Sequence, residues 1–474
     1  MYGRILKLGL LFVICLYVAP AIGGDEGTIR IGSRWELLVD EHLIERIAGE
    51  VELRLHSPTA QDVAMVHDVP WEGNTSGYHT MFQDGELYRM YYRGWNHEGE
   101  RQRQSHAAVV CYAESGDGIH WRRPDLGLVE FDGSKKNNII LDGFGTHNFT
   151  PFKDTNPACS AGARYKAVAR GEGEDNQKLF AFVSPDGIHW ERVQTEPIIT
   201  DGAFDSQNLA FWDLARKEYR CYFRDFRDGV RGIKTSTSKD FVEWAEPNWL
   251  EYGDAPKEHL YTNQIQAYYR APHIFVGFPT RYIPERGSLT EGLFMSSRDG
   301  LKFHRWGEAV LRPGRNRDKW YNRSNYIWLG LVETASSIPG AGRELSIYSN
   351  EGYYEGRGAR TRRYTYRIDG FVSAHASYRG GEMITKPLVF EGSRLSLNFS
   401  TSAAGSLKVE IRNAEGEPIE GYSLADCTEI YGDEIERAVE WGEGDVGELA
   451  GKAVRLRFVL KDADLFAFGF KGKL

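Results

Sequence analysis

From about residue 30 onward, short runs of apolar and aromatic residues recur between clusters of Gly, Asp, Asn and Pro. Helical spacing is nearly absent. Leu87-Tyr88-Arg89-Met90-Tyr91-Tyr92-Arg93, Glu218-Tyr219-Arg220-Cys221-Tyr222-Phe223-Arg224 and His273-Ile274-Phe275-Val276-Gly277-Phe278 are typical. Their imperfect alternation predicts strands packed on both faces. A second element recurs among them: Ser115-Gly116-Asp117-Gly118-Ile119-His120-Trp121, then Ser184-Pro185-Asp186-Gly187-Ile188-His189-Trp190. Degenerate copies begin at Ser238 and Ser297. Asp-Gly makes a tight turn, the Ser hydroxyl holds its backbone, and the following aromatic restarts an outer strand.

The implied unit is three strands, an Asp-Gly turn and an outer strand. Four copies, with a fifth unit ending near Asp369-Gly370-Phe371, predict a five-bladed β-propeller over residues 28–375. After that point Leu395–Phe399, Leu407–Ile411 and Val454–Leu460 alternate cleanly, and Glu415-Gly416 and Ala450-Gly451 supply turns. The expected architecture is all-β: a propeller followed by a β-sandwich over 376–474, either a carbohydrate-binding accessory or a cap.

The N-terminus changes the compartment. Arg4 and Lys7, an apolar stretch from Leu8 to Val18, and Ala19-Pro20-Ala21 read as a signal peptide over residues 1–21, with an uncleaved anchor as the alternative. Export predicts a secreted or periplasmic protein with no membrane association after cleavage. The net charge of −9 argues against nucleic-acid and anionic-membrane partners. Cys111, Cys159, Cys221 and Cys427 match no zinc signature, and Cys111 and Cys221 fall in strand-like runs as buried thiols. No cofactor is indicated; a structural calcium ion is compatible with such a fold but has no motif here. Neither a Gly-x-Ser-x-Gly elbow nor a phosphate-cradling glycine loop is present.

In a propeller the first strand of each blade lines the axis, so polar residues opening each blade should converge. Carboxylates there would serve glycoside hydrolysis, which needs one protonated and one ionised acid. The candidates are Glu72, Asp154, Asp205 and Glu258, with Asp40 as an alternative to Glu72 from the lead-in strand. Loop carboxylates more commonly cap turns. Arg93, Arg224 and Arg281 end strands and could hold hydroxyls, carboxylates or sulfates, although Arg224-Asp225-Phe226-Arg227-Asp228 could equally be a self-satisfied ion-pair cluster. Trp71, Tyr78, Trp95 and Tyr261 could stack on sugar rings or simply pack. His79, His147, Asn208, His259, Asn263 and Asn325 complete the expected substrate contacts, and the histidines show no metal spacing.

The blade-opening pattern resembles the five-bladed propeller glycoside hydrolases, a group spanning invertase-type (family 32), arabinanase-type (family 43) and mannoside phosphorylase-type (family 130) proteins. Lys153-Asp154-Thr155-Asn156-Pro157 is similar to their blade-two Arg-Asp-Pro element with two residues inserted. Phe204-Asp205-Ser206-Gln207-Asn208 is similar in position to their blade-three Glu-Cys-Pro element. Blade one lacks the Asn-Asp-Pro-Asn-Gly element. The chain also resembles exported planctomycete-type proteins with a family 32-like N-terminal propeller. The resemblance implies a glycosidase acting on a carbohydrate, with Asp205 (or Glu258) as general acid, Asp154 orienting the sugar, and Glu72 or Asp40 as nucleophile or base. A binding propeller without catalysis is the alternative, favoured by the missing blade-one element. A phosphorylase would require a cluster of Arg, Lys and His beside the axis.

Overall fold

The computed structural model describes residues 27–98, 103–442 and 444–472. The expected signal peptide lies outside them. The described chain is all-β, with strands joined by turns and five short 3-10 segments. No helix among the described residues is long and apolar enough to cross a membrane.

Five four-stranded antiparallel sheets form the blades. Their innermost strands are Gly77–Asp84, Thr150–Lys153, Leu209–Asp213, Ile265–Tyr268 and Val332–Ala335. The fifth blade takes its outer strand, Thr59–Val66, from upstream of the first, where it pairs with Arg360–Tyr366. That pairing fastens the two ends of the ring together and removes an open junction between first and last blades.

The recurring turn does the structural work its composition suggests. Third strands end at Ser115, Ser184, Ser238 and Ser297. Ser184 Oγ accepts from the Gly187 amide at 2.8 Å, and Asp186 Oδ1 accepts from the amides of Ile188 and His189 at 2.8 and 2.9 Å. The same bonds recur around Asp117, Asp240 and Asp299. In the Ser238 copy, Phe241 stands where the others have Gly, and it adopts φ 73°. Its ring repays that backbone cost by burial against Phe152, Tyr219 and Trp244. Three of the turns are also tied to the preceding blade. Tyr91 and Tyr222 donate hydroxyl bonds to the carbonyls of Gly187 and Gly300 at 3.0 and 2.9 Å, and Tyr348 does the same to Gly118. At Gly187 a Cβ would lie 2.7 Å from the Tyr91 hydroxyl, and φ is +79°. Only glycine meets both demands without strain.

C-terminal to the propeller, where a sandwich over 376–474 was expected, the strands belong to one hydrogen-bonded eight-stranded sheet, which also takes the N-terminal strands Ile29–Gly32, Trp35–Leu37 and Ile44–Leu55 from the segment expected to belong to the propeller. Its long members, Val372–Thr385, Arg394–Asn413 and Ala453–Lys471, break register between Ala376 and Gly381 and between Thr401 and Ser406. Bulges of this kind bend strands, and these strands share one core that includes Leu397, Phe399, Val409, Trp441, Phe458 and Phe468. The sheet docks on the propeller through buried Asp369, which accepts from Trp35 Nε1 at 2.8 Å, Tyr268 Oη at 2.6 Å and Asn398 Nδ2 at 2.8 Å. Cys111, Cys221 and Cys427 are buried, Cys159 is half-buried, and all four are free thiols.

Candidate functional site

The innermost strands all begin at one end of the ring, and the second strand of each blade ends there. Side chains from all five blades converge at this mouth. The first blade gives Tyr78, Arg93, Trp95 and His97; the second gives His147 and Arg170; the third gives Asp205, Arg224, Phe226 and Arg231. Tyr261 and Tyr282 come from the fourth, and Arg323, Tyr326, Tyr353 and Tyr354 from the fifth. Ring contacts run nearly round the axis: Trp95 to His147 at 5.7 Å, His147 to Tyr78 at 6.1 Å, Tyr261 to Tyr326 at 5.5 Å and Tyr326 to Tyr353 at 5.8 Å. Beneath them the axis is filled rather than open. Gln207 donates to the carbonyls of Tyr78 and His79 at 3.3 and 3.1 Å, and Gln264 donates to Gln207 Oε1 at 2.8 Å.

Five guanidiniums dominate this surface. Arg93 is buried, donates to the Thr75 carbonyl at 3.0 Å and Tyr353 Oη at 2.7 Å, and lies 4.7 and 4.5 Å from the rings of Tyr78 and Trp95. Arg224 is ion-paired with Asp205 and lies 4.9 Å from the Tyr261 ring. Arg231 stands over Phe226, Tyr261 and Tyr282 at 5.0, 5.5 and 4.8 Å. Arg323 lies over Tyr354 at 5.0 Å and donates to its hydroxyl at 3.2 Å. Arg170 ends the second blade's second strand. Among the described residues, Asp205 is the one carboxylate ion-paired with this group; its side chain is 49% exposed.

The electrostatic consequence is a patch in which positive charge exceeds negative. Burial lowers the pKa of Arg170, and Arg93 and Arg224 add to the effect; burial and Arg224 act likewise on Arg231. His147 is held well below its ordinary range by burial and by Arg93, Arg170 and Arg224, and His97 is lowered by burial, Arg93 and Arg323. Both imidazoles are therefore neutral near pH 7. Nε of Arg93, Arg170, Arg224, Arg231 and Arg323, Nη1 of Arg224, Nε1 of Trp95 and both His97 nitrogens are buried without a protein partner. Buried polar groups normally find partners, so their concentration at one mouth marks a surface made for a polar guest. The backbone points the same way. Tyr78, Gln264, Arg323, Asn325 and Tyr354 all hold left-handed φ between 47° and 80°, and such conformations cluster at ligand sites.

Of the residues singled out from sequence, Arg93, His147, Asp205 and Arg224 meet here, with Tyr78, Trp95 and Tyr261. His259 borders the mouth, its Nδ1 accepting from the Arg231 amide at 3.2 Å. The remaining carboxylates do not join Asp205. Asp154 follows the far end of its inner strand, because that strand is Thr150–Lys153 rather than the run after Tyr165. There it accepts from Lys166 Nζ at 2.5 Å and Tyr219 Oη at 2.7 Å. Glu72 is buried inside the first blade, accepting from Tyr92 Oη at 2.5 Å and from Arg123 Nε and Nη2 at 2.8 Å each. Glu258 is held by Arg281 and Arg305 at 2.9 and 2.7 Å, and Asp40 by Arg298 at 3.1 Å.

The other expected substrate contacts are engaged within the protein. His79 is buried, stacked on Tyr92 and Trp328 and 3.0 Å from His67 Nε2. Asn208, Asn263 and Asn325 are buried with their amides donating to backbone carbonyls. Trp71 donates to Asn138 and packs on Phe131, and Arg281 is ion-paired with Glu258 and Glu291. Sequence reasoning missed His97, Arg170, Arg231, Tyr353 and Tyr354. A signal was available: Arg93, Arg170 and Arg224 stand at or near the same end of the second strand in three consecutive blades. No group of three His, Cys, Asp or Glu among the described residues could hold a metal ion.

No known family profile matches the chain. Two curated proteins of Mycobacterium tuberculosis are similar over part of it: the uncharacterized proteins MT1551 (strain CDC 1551 / Oshkosh) and Rv1502 (strain ATCC 25618 / H37Rv). They are 28% identical over 153 and 149 residues, covering 31% of this chain and 42% of theirs, so the chain spans about two-fifths of their length. Among solved structures, one described as a glycoside hydrolase has a TM-score of 0.45 at 15% identity, covering 65% of this chain and 92% of that one. A β-1,2-mannobiose phosphorylase from Listeria innocua has a TM-score of 0.42 at 10% identity, covering 67% and 97%. The GH62 α-L-arabinofuranosidase catalytic domain of Coprinopsis cinerea has a TM-score of 0.43 at 8% identity, covering 66% and 99%. These neighbours act on glycosides, but likeness at these scores assigns no chemistry to this chain.

Proposed function

We propose that the protein binds a negatively charged glycan at the propeller mouth, outside the cytoplasm. A carboxylate or sulfate group sits between Arg231 and Arg323, which share the Tyr261 ring at 5.5 and 5.9 Å, and the sugar ring lies against Trp95 and Tyr354. The observation that carries this reading is five guanidiniums at the mouth with a single ion-paired carboxylate, Asp205. Guanidiniums recognise planar or tetrahedral oxyanions through paired donors, and Nε of Arg231 and Arg323 has no protein partner. The carbohydrate class rests on the resemblance of the blade-opening segments to propeller glycosidases, and the location rests on the N-terminal leader pattern. Hydrolysis by two facing carboxylates fits the arrangement poorly, since Glu72, Asp154, Glu258 and Asp40 are each engaged elsewhere.

The same observation favours a second reading, glycoside phosphorolysis. There a phosphate oxygen attacks the anomeric carbon, the glycosidic C–O bond breaks, and the departing oxygen takes up the proton that the phosphate gives up. That chemistry needs a cationic seat for phosphate and no second carboxyl group. A panel of uronate-bearing, sulfated and neutral glycans, assayed for binding and for turnover with and without phosphate, separates the two. Preferential binding of anionic glycans, weakened at least tenfold by Arg323→Ala, supports the first. Phosphate-dependent cleavage of a neutral glycan replaces it with the second.

A further inference from the structure

We propose that the groove between the third and fourth blades is a second sugar subsite, taking the uncharged units that continue from the charged unit held at the mouth. This rests on the reading of the mouth as an anionic-glycan site. The groove has a volume of about 510 Å³ and is lined by Arg227, Trp249, Glu251, Tyr252, Glu258 and Arg305, among others. That volume lies within the range of small-molecule sites.

Its chemistry contrasts with that of the mouth. Glu258 is shared by Arg281 and Arg305, and Lys257 pairs with Asp228 at 2.7 Å. Arg227 lies over Trp249 at 5.0 Å, and Glu251 faces the same groove. With Arg281 also paired to Glu291 at 2.8 Å, these charges balance apart from Arg231, which the groove shares with the mouth. Two polar atoms remain buried without a partner: the Tyr252 hydroxyl and Arg305 Nε. Arg305 Nη1 and Nη2 are already committed to Glu258 at 2.7 Å and the Pro256 carbonyl at 2.6 Å. An aromatic platform with a spare hydroxyl and a spare N–H, in a charge-balanced wall, suits a neutral polyol ring, which presents apolar C–H faces and hydroxyl edges. Gly232 keeps the platform in place, because a Cβ there would lie 2.8 Å from Trp249 Cζ3.

Continuity with the mouth comes from Arg231. It lines the groove, and its guanidinium stands over Tyr261 and Tyr282 at the mouth. One side chain thus borders both places, so a glycan charged at the mouth is led into the groove by its next units.

The test is an array of uronate- and sulfate-bearing oligosaccharides, each presented in lengths of one to six units with a single charged unit. The wild-type protein, Trp249→Ala, Tyr252→Phe and Arg323→Ala are compared. The expected wild-type result is an affinity gain of about tenfold between one and four units. Trp249→Ala should flatten that gain below twofold, and Tyr252→Phe should reduce it. A length series unchanged in both variants, or flat in the wild type, overturns the subsite while leaving the mouth standing. Arg323→Ala reports on the mouth separately, by weakening every length. Failure of every charged glycan to bind overturns both readings.

Discussion

Glu72 offers the sharpest separation between a residue that holds the fold and one that does chemistry. Its carboxylate is fully buried, accepts two bonds from Arg123 and one from Tyr92, and stands 3.4 Å from His67 Nδ1. Glu72→Gln keeps the volume and removes the charge. Breaking one side of a buried ion pair costs about 3–5 kcal/mol. The Arg123 side chain is 25% exposed and keeps its bond to the Val66 carbonyl, so the lower end applies, about 3 kcal/mol. For a cooperative unit of roughly 450 residues, an unfolding entropy of about 2.1 cal/mol/K per residue turns this into a fall in Tm of about 3 °C. Burial opposes the charge on Glu72, but His67 and Arg123 outweigh it and hold the carboxyl below the ordinary value of 4.5. A lowered native pKa gives stability that is present above pH 4.5 and lost as pH falls through the native value. The gap between wild type and variant should therefore be constant near neutrality and close below pH 4.5. Urea unfolding followed by tryptophan fluorescence across pH 3–8, with glycan binding measured on the folded variant, checks both parts. A variant as stable as wild type that no longer binds or turns over glycan would refute the structural assignment.

Other consequences can be measured in the same way. Asp154→Asn should cost about 3 kcal/mol, because it strands the buried Lys166 ammonium, while binding at the mouth persists; loss of function at full stability would return Asp154 to the site. Gly187→Ala should destabilise by about 2 kcal/mol or more, from left-handed backbone strain and the 2.7 Å approach to Tyr91 Oη. Tyr91→Phe should cost about 1 kcal/mol by removing one of the two bonds the Gly187 carbonyl accepts, the other coming from Trp190 Nε1 at 3.1 Å. Denaturant midpoints equal to wild type in both would show that the turn-to-blade bond carries no load.

The repeat was legible because its chemistry is local: Ser, Asp and Gly satisfy one turn within four residues, so each copy announces a third-to-outer strand connection. The ring closure was not, since nothing in Thr59–Val66 states that it pairs with a strand some 300 residues later. Asp154 was misplaced because the inner strand before it, Thr150-Pro151-Phe152-Lys153, is four residues long and carries a proline, and so does not look like a strand. An inner strand is the edge of its blade, and proline is tolerated at edges. Glu72 precedes the first inner strand, where a carboxylate for the reaction was expected, but the direction of a side chain depends on packing. Tyr92 and Arg123 draw Glu72 inward, and Lys166 claims Asp154. The arginine mouth was half legible: Arg93 and Arg224 were visible as strand-end residues, whereas Arg231 joins them only through the fold of a hairpin.

The central claim is that the mouth selects a negative charge on a sugar. The most direct test is calorimetric titration with one uronate-bearing glycan that binds and with the same glycan after reduction of its carboxyl group to an alcohol. The account predicts at least a tenfold loss of affinity on reduction, with the charged glycan's affinity falling as salt rises. Equal affinity for the two forms, unaffected by salt, would contradict it.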